Sequence, residues 1–142
     1  MPDMTGVKVL FVSGFGPLVK DSELSKRFYA DTLGLPLQPH PDGVAGYYHS
    51  EKIDGVRHFA LWPLADAAKS CFGADTWSKD VPEPHAWLEL DVEDVAAATE
   101  TLKQRGYTLL VEVRQEPWGQ TVSRLLSPEG LLVGLVVTPW LR

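Results

Sequence analysis

Residues 21–34 read DSELSKRFYADTLG, and this stretch predicts a helix with both ends marked. Asp21 suits the N-cap, because its short side chain can accept a hydrogen bond from a free N–H of the first turn. Leu24 and Phe28 are four residues apart and therefore share one face of the helix. Gly34, with Pro36 two residues later, marks the end. On the N-terminal side, residues 7–12 (VKVLFV) are typical of a strand, which the glycines and proline of residues 13–17 are expected to end.

Beyond this helix the pattern changes to short apolar runs that predict three strands, at residues 35–38, 46–50 and 56–64. In the third run, His58, Ala60 and Trp62 are spaced by two residues. Side chains alternate across a strand, so these three are predicted to share one face.

The second half of the chain repeats the order of the first half. A strand at 86–92 (AWLELDV) precedes a helix capped by Asp91 or Asp94, which ends at Gly106, and strands are predicted at 109–114, 121–126 and 131–138. Gly34 and Gly106 are 72 residues apart (106 − 34). This order predicts an α+β fold in one domain, with two paired βαβββ modules at residues 7–64 and 85–138. Residues 65–84 are interpreted as a connector with one helical turn at 66–70.

Each module has a helix for only one face of its strands, so the other face must be covered differently. We expect the paired modules to form a curved mixed sheet around a cleft, which a dimer partner could close.

Composition excludes several classes of function. Thirteen Lys and Arg against nineteen Asp and Glu give a net charge of −6, which is a poor match for nucleic acid or an anionic membrane surface. Cys71 is the single cysteine, so neither an intrachain disulfide nor a cysteine-rich zinc site is possible. The apolar run at 131–137 is too short to span a bilayer, and the N-terminus shows no signal peptide pattern. We therefore expect a cytoplasmic protein.

Several segments resemble the vicinal oxygen chelate superfamily, which includes glyoxalase I, extradiol dioxygenases, and fosfomycin and bleomycin resistance proteins. The FYADTLG motif of residues 28–34 is similar to the first helix of that family, residues 94–106 to its second helix, and PWG at 117–119 with SPEG at 127–130 to the end of its second module. The resemblance covers roughly residues 7–138. Residues 86–88 (AWL) and 116–119 (EPWG) are most similar to bleomycin resistance proteins, although the spacing between Gly119 and Pro128 leaves the register of the intervening strand open.

The resemblance implies a test for metal. Enzymes of the family hold one divalent ion with His, Gln or Glu from the first and last strands of each module. Here residues 7–19 and 130–142 contain no His, Asp, Glu or Cys. Helix spacing places the ligand positions at Gly14, at Trp87, at Gly134 and at one of His58, Ala60 or Trp62. A register two residues away would place His85 opposite His58, which still gives only two ligands. We therefore predict neither a metal nor another cofactor.

The resemblance then implies a small-molecule pocket lined by large aromatic side chains, namely Phe15, His58, Trp62, Trp87 and Trp118, with Arg124 as a charged contact. The predicted function is metal-free binding of an aromatic or amphipathic ligand by a homodimer, as in bleomycin resistance proteins, with no catalytic residue. His58, His85 and Glu89 are the available acid–base groups. His40 and His49 are interpreted as surface histidines, and Cys71 as structural.

Two other functions stay open. One is a metal-dependent lyase, isomerase or dioxygenase of the same superfamily. The other is a domain whose aromatic surface serves only protein association, which a cleft filled by the protein's own side chains would favour. Trp62 and Trp87 could equally be core residues, and His58 a hydrogen-bonded structural histidine.

Overall fold

A computed structural model describes residues 7–41 and 44–142. Within these ranges the chain forms eight strands and three α-helices. The strands are β1 (Val9–Val19), β2 (Gln38–Pro39), β3 (Tyr48–Ser50), β4 (Phe59–Pro63), β5 (Ala86–Val92), β6 (Val111–Gln115), β7 (Thr121–Leu126) and β8 (Leu132–Val137). The helices are α1 (Ser22–Lys26), which continues as a π-helical turn (Arg27–Thr32), α2 (Leu64–Phe72) and α3 (Val95–Gln104), and a short 3₁₀ turn (Pro139–Leu141) follows β8.

The eight strands form one mixed sheet in the order β2-β3-β4-β1-β5-β8-β7-β6. Read outward from its centre, each half has the same order of first, fourth, third and second strand. Within each half the first and fourth strands are parallel, whereas β1 and β5 pair antiparallel where the halves meet. The α+β class and the paired βαβββ pattern are thereby confirmed.

The helix boundaries follow from the caps that the sequence indicates. The carboxylate of Asp21 accepts a hydrogen bond from the Leu24 N–H at 3.0 Å, and Asp94 accepts one from Ala97 N–H at 3.0 Å. Asp94 is therefore the cap of α3, and the alternative, Asp91, is a buried strand residue. Gly34 has φ +79°, the left-handed conformation that ends a helix at little cost for glycine.

The predicted end of the first strand at residues 13–17 is wrong, because β1 continues to Val19. The glycines in this segment do not form a turn. They allow neighbouring parts of the chain to approach the β1 backbone closely. A Cβ at Gly16 would lie 1.9 Å from the Ala60 carbonyl oxygen, and one at Gly14 would lie 2.8 Å from the Trp87 ring. Glycine inside a strand commonly marks such a contact.

The two faces of the sheet carry different helices. On the outer face, α3 packs through Val95 and Ala98, and the π-helical turn packs through Tyr29, whose ring centroid lies 6.1 Å from that of Phe59. The opposite face, called the inner face here, carries Ala60 and Trp87.

The connector covers part of the inner face. It contains the nine-residue helix α2 where a single turn was predicted, and Ala67, Ala68 and Cys71 of this helix belong to the same core as Trp62 and Trp87. The inner face is thus partly filled by the chain itself. No helix in the described part of the chain is both long and apolar enough to cross a membrane.

Candidate functional site

The middle of the inner face is crossed by a row of five residues, called the central row here, of which four lie on adjacent strands and the fifth immediately precedes β4. Gly14 of β1 pairs with Glu89 of β5, Glu89 pairs with Gly134 of β8, and Gly134 pairs with Arg124 of β7. At the other end, the carbonyl oxygen of His58 accepts a hydrogen bond from the backbone N–H that follows Gly14, at 3.1 Å. The row therefore reads His58, Gly14, Glu89, Gly134 and Arg124.

Arg124 and Glu89 form an ion pair in this row. Arg124 Nη1 lies 3.2 Å from Glu89 Oε2, and the arginine side chain is 0% exposed against 13% for the glutamate. The guanidinium carbon lies 5.0 Å from the centroid of the Trp62 ring. Arg124 Nε and Nη2 are buried without a hydrogen-bond partner in the described structure. The pair leaves two strong donors of a buried cation unsatisfied, which is costly.

The glycine between these two side chains makes room for them. A Cβ at Gly134 would lie 3.2 Å from both Arg124 Nη1 and Glu89 Cγ. A residue with a larger side chain at this position would have to displace the ion pair.

The central row does not fit the metal that the resemblance associates with these positions. On β5 the row is occupied by Glu89. Trp87 lies two residues away from Glu89 and pairs with Gly16, so the prediction that Trp87 occupies the ligand position is wrong. Gly14 and Gly134 have no donor atoms. Glu89 is already paired with a cation, and His58 alone remains, which is too few ligands for a divalent ion. Nor does His85 reach the row, because its carbonyl group bonds Leu18 N–H, beyond Trp87.

Trp118 is linked to the central row by a chain of hydrogen bonds. Its indole N–H donates to Gln120 Oε1 at 2.6 Å, and Gln120 Nε2 donates to Glu89 Oε1 at 3.1 Å and to Thr138 Oγ1 at 2.8 Å. Trp118 is 48% exposed, whereas Gln120 is buried. The indole thus lies at the surface, one side chain away from the ion pair.

Three of the aromatic candidates meet beside the row. The ring centroids of His58 and Trp87 are 6.3 Å apart, and Trp62 meets Trp87 edge-on at 6.3 Å. The Trp87 indole N–H donates to the Ala60 carbonyl oxygen at 3.1 Å. Trp62 and Trp87 are 9% and 3% exposed, so both belong to the core that α2 covers.

Of the six residues that the sequence suggested for a pocket, five are connected on the inner face and Phe15 is not. Phe15 packs against Phe59, with ring centroids 6.4 Å apart, on the opposite side of the sheet. The strand alternation that brings Gly14 and Gly16 to the inner face sends Phe15 to the outer face.

Sequence reasoning missed a polar group at the first-module end of the row, formed by Tyr47, His49 and Glu51. The Tyr47 hydroxyl lies 2.7 Å from His58 Nε2, and Glu51 Oε1 lies 3.4 Å from His58 Nδ1. The rings of His49 and His58 stack with centroids 5.5 Å apart. His49 was interpreted as a surface histidine, but it is half-buried in β3. The two-residue spacing of 47, 49 and 51 was the available signal, because it places three side chains on one face of a strand.

The environment keeps these imidazoles neutral. Burial lowers the pKa of His58, and the nearby carboxylates of Glu89 and Glu51 oppose that change only in part. Burial also lowers the pKa of His49, and the neighbouring His58 lowers it further. Burial raises the pKa of the Tyr47 phenol, so it remains protonated. The group can therefore donate and accept hydrogen bonds, and neutral imidazoles are the form that binds metal ions.

Comparisons with solved structures show the fold. A superfamily member from Vibrio splendidus 12B01 matches with a TM-score of 0.57 and 17% identity, over 89% of this chain and 97% of that one. Methylmalonyl-CoA epimerase from Mycobacterium tuberculosis matches with a TM-score of 0.55 and 22% identity, over 99% and 95%. A Streptomyces coelicolor methylmalonyl-CoA epimerase variant, in complex with 2-nitronate-propionyl-CoA, gives 0.56 and 16%, over 93% and 99%.

Among curated proteins, none matches the sequence. A family model does match, over residues 15–135, and its description is Glyoxalase/Bleomycin resistance protein/Dioxygenase superfamily. This span includes both βαβββ units, from β1 into β8. The chain therefore belongs to the glyoxalase/bleomycin resistance protein/dioxygenase superfamily.

Proposed function

We propose that this protein binds a small aromatic or amphipathic molecule at the inner face, with no metal in the central row. The observation that carries the proposal is the buried guanidinium of Arg124, whose Nε and Nη2 have no partner in the described structure. A buried cation with two unused donors beside the Trp62 ring suits a ligand that offers both an acceptor group and a flat apolar surface.

Each neighbouring side chain has a place in this proposal. Glu89 holds Arg124 in position from one side. Trp118 supplies an exposed aromatic face at the surface, and its hydrogen bond to Gln120 fixes the indole relative to the row. His58 offers a neutral imidazole at the opposite end. Binding of this kind sequesters the ligand as bleomycin resistance proteins do and needs no chemical step.

Access to the guanidinium requires movement of α2, because Ala67, Ala68 and Cys71 pack on the same core as Trp62 and Trp87. The helix lies in the connector, so it can shift without breaking strand pairs of the sheet. Ligand binding should therefore change amide hydrogen exchange in residues 64–72 more than in β5 or β8.

The direct test uses EDTA-treated protein and its own tryptophan fluorescence. Bleomycin and a panel of aromatic antibiotics and planar aromatic acids are titrated as probes, and Arg124→Lys is compared with the unmodified chain. Lysine keeps the positive charge toward Glu89 but loses the planar fork of donors. We expect saturable binding of at least one probe, weakened about tenfold or more by Arg124→Lys, as for a lost charge-assisted hydrogen bond.

The matched control is Tyr107→Ala, which removes an aromatic side chain that is 50% exposed just after α3. This variant should bind the probes as the unmodified chain does. Binding or turnover that appears only when a divalent ion is added would contradict the proposal and favour the metal-dependent enzymes of the superfamily.

Protein association is a second candidate function, because the inner face is partly filled by the chain's own side chains. Leu24 and Phe28 of the first helical segment and Leu33 just after it are each more than half exposed, and an apolar surface of this kind suits a second protein chain. We propose that it supports the homodimer. Light scattering after gel filtration should give twice the 15.7 kDa monomer mass, and a Leu24→Glu/Phe28→Glu variant should be monomeric. A monomer for the unmodified chain would contradict this.

A further inference from the structure

The hairpin of β3 and β4 brings together three side chains that commonly bind metal ions. His49 lies on β3, Glu51 directly follows that strand, and His58 directly precedes β4. The strands pair antiparallel, with His49 opposite Ala60, so the chain turns back and places Glu51 beside His58. Each of the three offers one ligand atom, and these atoms all lie within 4.8 Å of one another.

The separation of two of these atoms already matches a coordination sphere. Glu51 Oε1 lies 3.4 Å from His58 Nδ1, and ligand atoms around a tetrahedral zinc ion lie about 3.4 Å apart when each is about 2.1 Å from the metal. The remaining separations involve His49 and are at most 4.8 Å, so a small shift of that imidazole would complete the three-ligand arrangement.

The other nitrogen of His58 is held as metal-ligating histidines usually are. Nε2 lies 2.7 Å from the Tyr47 hydroxyl, which fixes the ring and leaves Nδ1 on the side of Glu51. The phenol oxygen can accept a hydrogen bond from Nε2–H, so that Nδ1 keeps the lone pair that a metal ion needs.

His49 adds a second, independent observation. Its Nδ1 is buried and has no hydrogen-bond partner in the described structure, although buried polar atoms are nearly always paired. A metal ion bound by His49 and His58 would give the His49 imidazole a polar partner. It would also replace the stacking of two uncharged rings by coordination to one cation.

We propose that His49, Glu51 and His58 bind one divalent transition-metal ion, of which zinc is the best match to two imidazoles and one carboxylate. The site lies on one hairpin of the first module, to the side of the central row, and uses neither Gly14 nor Gly134. Three protein ligands leave a fourth position open. Glu51 also borders a depression of about 540 Å³ lined by Val12 and residues 51–57.

The experiment uses the full-length, untagged protein after removal of metal with EDTA. Zn²⁺ is titrated by calorimetry, and Co²⁺ is titrated by visible absorption, which reports the geometry and nitrogen ligation of the ion. We expect one metal per chain and a tetrahedral Co²⁺ spectrum. His49→Gln and Glu51→Gln should each lower Zn²⁺ affinity by about 100-fold, and both should retain the native circular dichroism spectrum.

Two control variants match the chemistry of the ligands. His85→Gln removes an exposed histidine next to β5, and Glu129→Gln removes an exposed carboxylate in the turn before β8. Both should bind Zn²⁺ as the unmodified chain does. Absence of stoichiometric binding, or equal effects of His49→Gln and His85→Gln, would overturn the proposal.

The metal site stands apart from the proposed small-molecule binding. Zn²⁺ or Co²⁺ alone is the probe here, whereas the fluorescence titration is done after EDTA treatment. A negative result in the metal titration would therefore leave the small-molecule proposal unaffected, and a negative result in the fluorescence titration would leave the metal site unaffected.

Discussion

Arg124 Nη1 lies 3.2 Å from Glu89 Oε2, on two strands that are separated in the sheet by β8. The two side chains meet above Gly134, where the missing side chain leaves room for them. The central row of this sheet is thus spanned by a buried ion pair.

Glu89→Gln should destabilise the fold strongly. The substitution leaves the fully buried Arg124 guanidinium without a carboxylate, and breaking a buried pair in this way costs about 3–5 kcal/mol. Urea unfolding measures the change. The double variant Glu89→Gln/Arg124→Met should recover most of the loss, because it removes the buried charge as well. A double variant no more stable than Glu89→Gln would show that the ion pair is not the cause.

Trp118→Ala should weaken binding of the probe that the tryptophan fluorescence titration identifies. The expected loss is about 1–3 kcal/mol, as for loss of a stacked aromatic contact. Because the indole is 48% exposed, the melting temperature should change little. The affinity is measured by calorimetry, since one reporter tryptophan is lost. Unchanged affinity together with a large fall in melting temperature would make Trp118 a packing residue instead.

Gly16→Ala and Gly134→Ala should differ sharply in stability. At Gly16 the new Cβ would lie 1.9 Å from a backbone oxygen of Ala60, whereas at Gly134 it would meet two side chains at 3.2 Å. Backbone cannot move aside within the paired strands, so Gly16→Ala should cost more than the roughly 1–3 kcal/mol typical of overpacking, and Gly134→Ala should fall within that range. Thermal unfolding of both variants tests the order, and an equal loss would contradict the close approach at Gly16.

Cys71 should be unreactive in the native protein at neutral and mildly alkaline pH. Burial raises the pKa of its thiol to about 11, so at pH 8 only about one native thiol in a thousand is the reactive thiolate. Modification by iodoacetamide should be slow in buffer and fast in urea. Rapid native modification at pH 8 would show that α2 does not hold the thiol in the core.

The same pKa has a consequence for stability. A thiol whose pKa is higher in the folded than in the unfolded chain stabilises the fold fully below the unfolded value of about 9, and this contribution is lost as the pH rises toward 11. Cys71→Ala should therefore show a smaller fall in stability over this pH range than the unmodified chain. An identical pH dependence would contradict a buried thiol.

The local patterns predicted most of the elements. Residues 86–92 and 121–126 are strands at the expected bounds, and Asp21 and Asp94 cap their helices. These features depend on neighbouring residues in the chain, so alternation and capping suffice to predict them. The continuation of β1 through Gly14 and Gly16 could not be predicted from neighbouring residues. Those two glycines are required by close contacts with Trp87 and Ala60, which are far away in the sequence.

The candidate site divides in the same way. His58, Trp62 and Arg124 were named from the sequence, but the side chains that each of them contacts were not predicted. Glu89 was placed by the register of β1, β5 and β8, and His49 by the pairing of β3 with β4.

By itself the sequence determined the two repeated units, their helix ends and the absence of ligand side chains from the first and last strands, since these depend on residue type and short-range spacing. Only the tertiary structure decided that Glu89 faces Arg124, that α2 covers the tryptophans, and that His49, Glu51 and His58 converge. The reason is physical: strand register and the docking of a connector are set by contacts between distant residues, and a shift of one residue would turn every side chain to the other face.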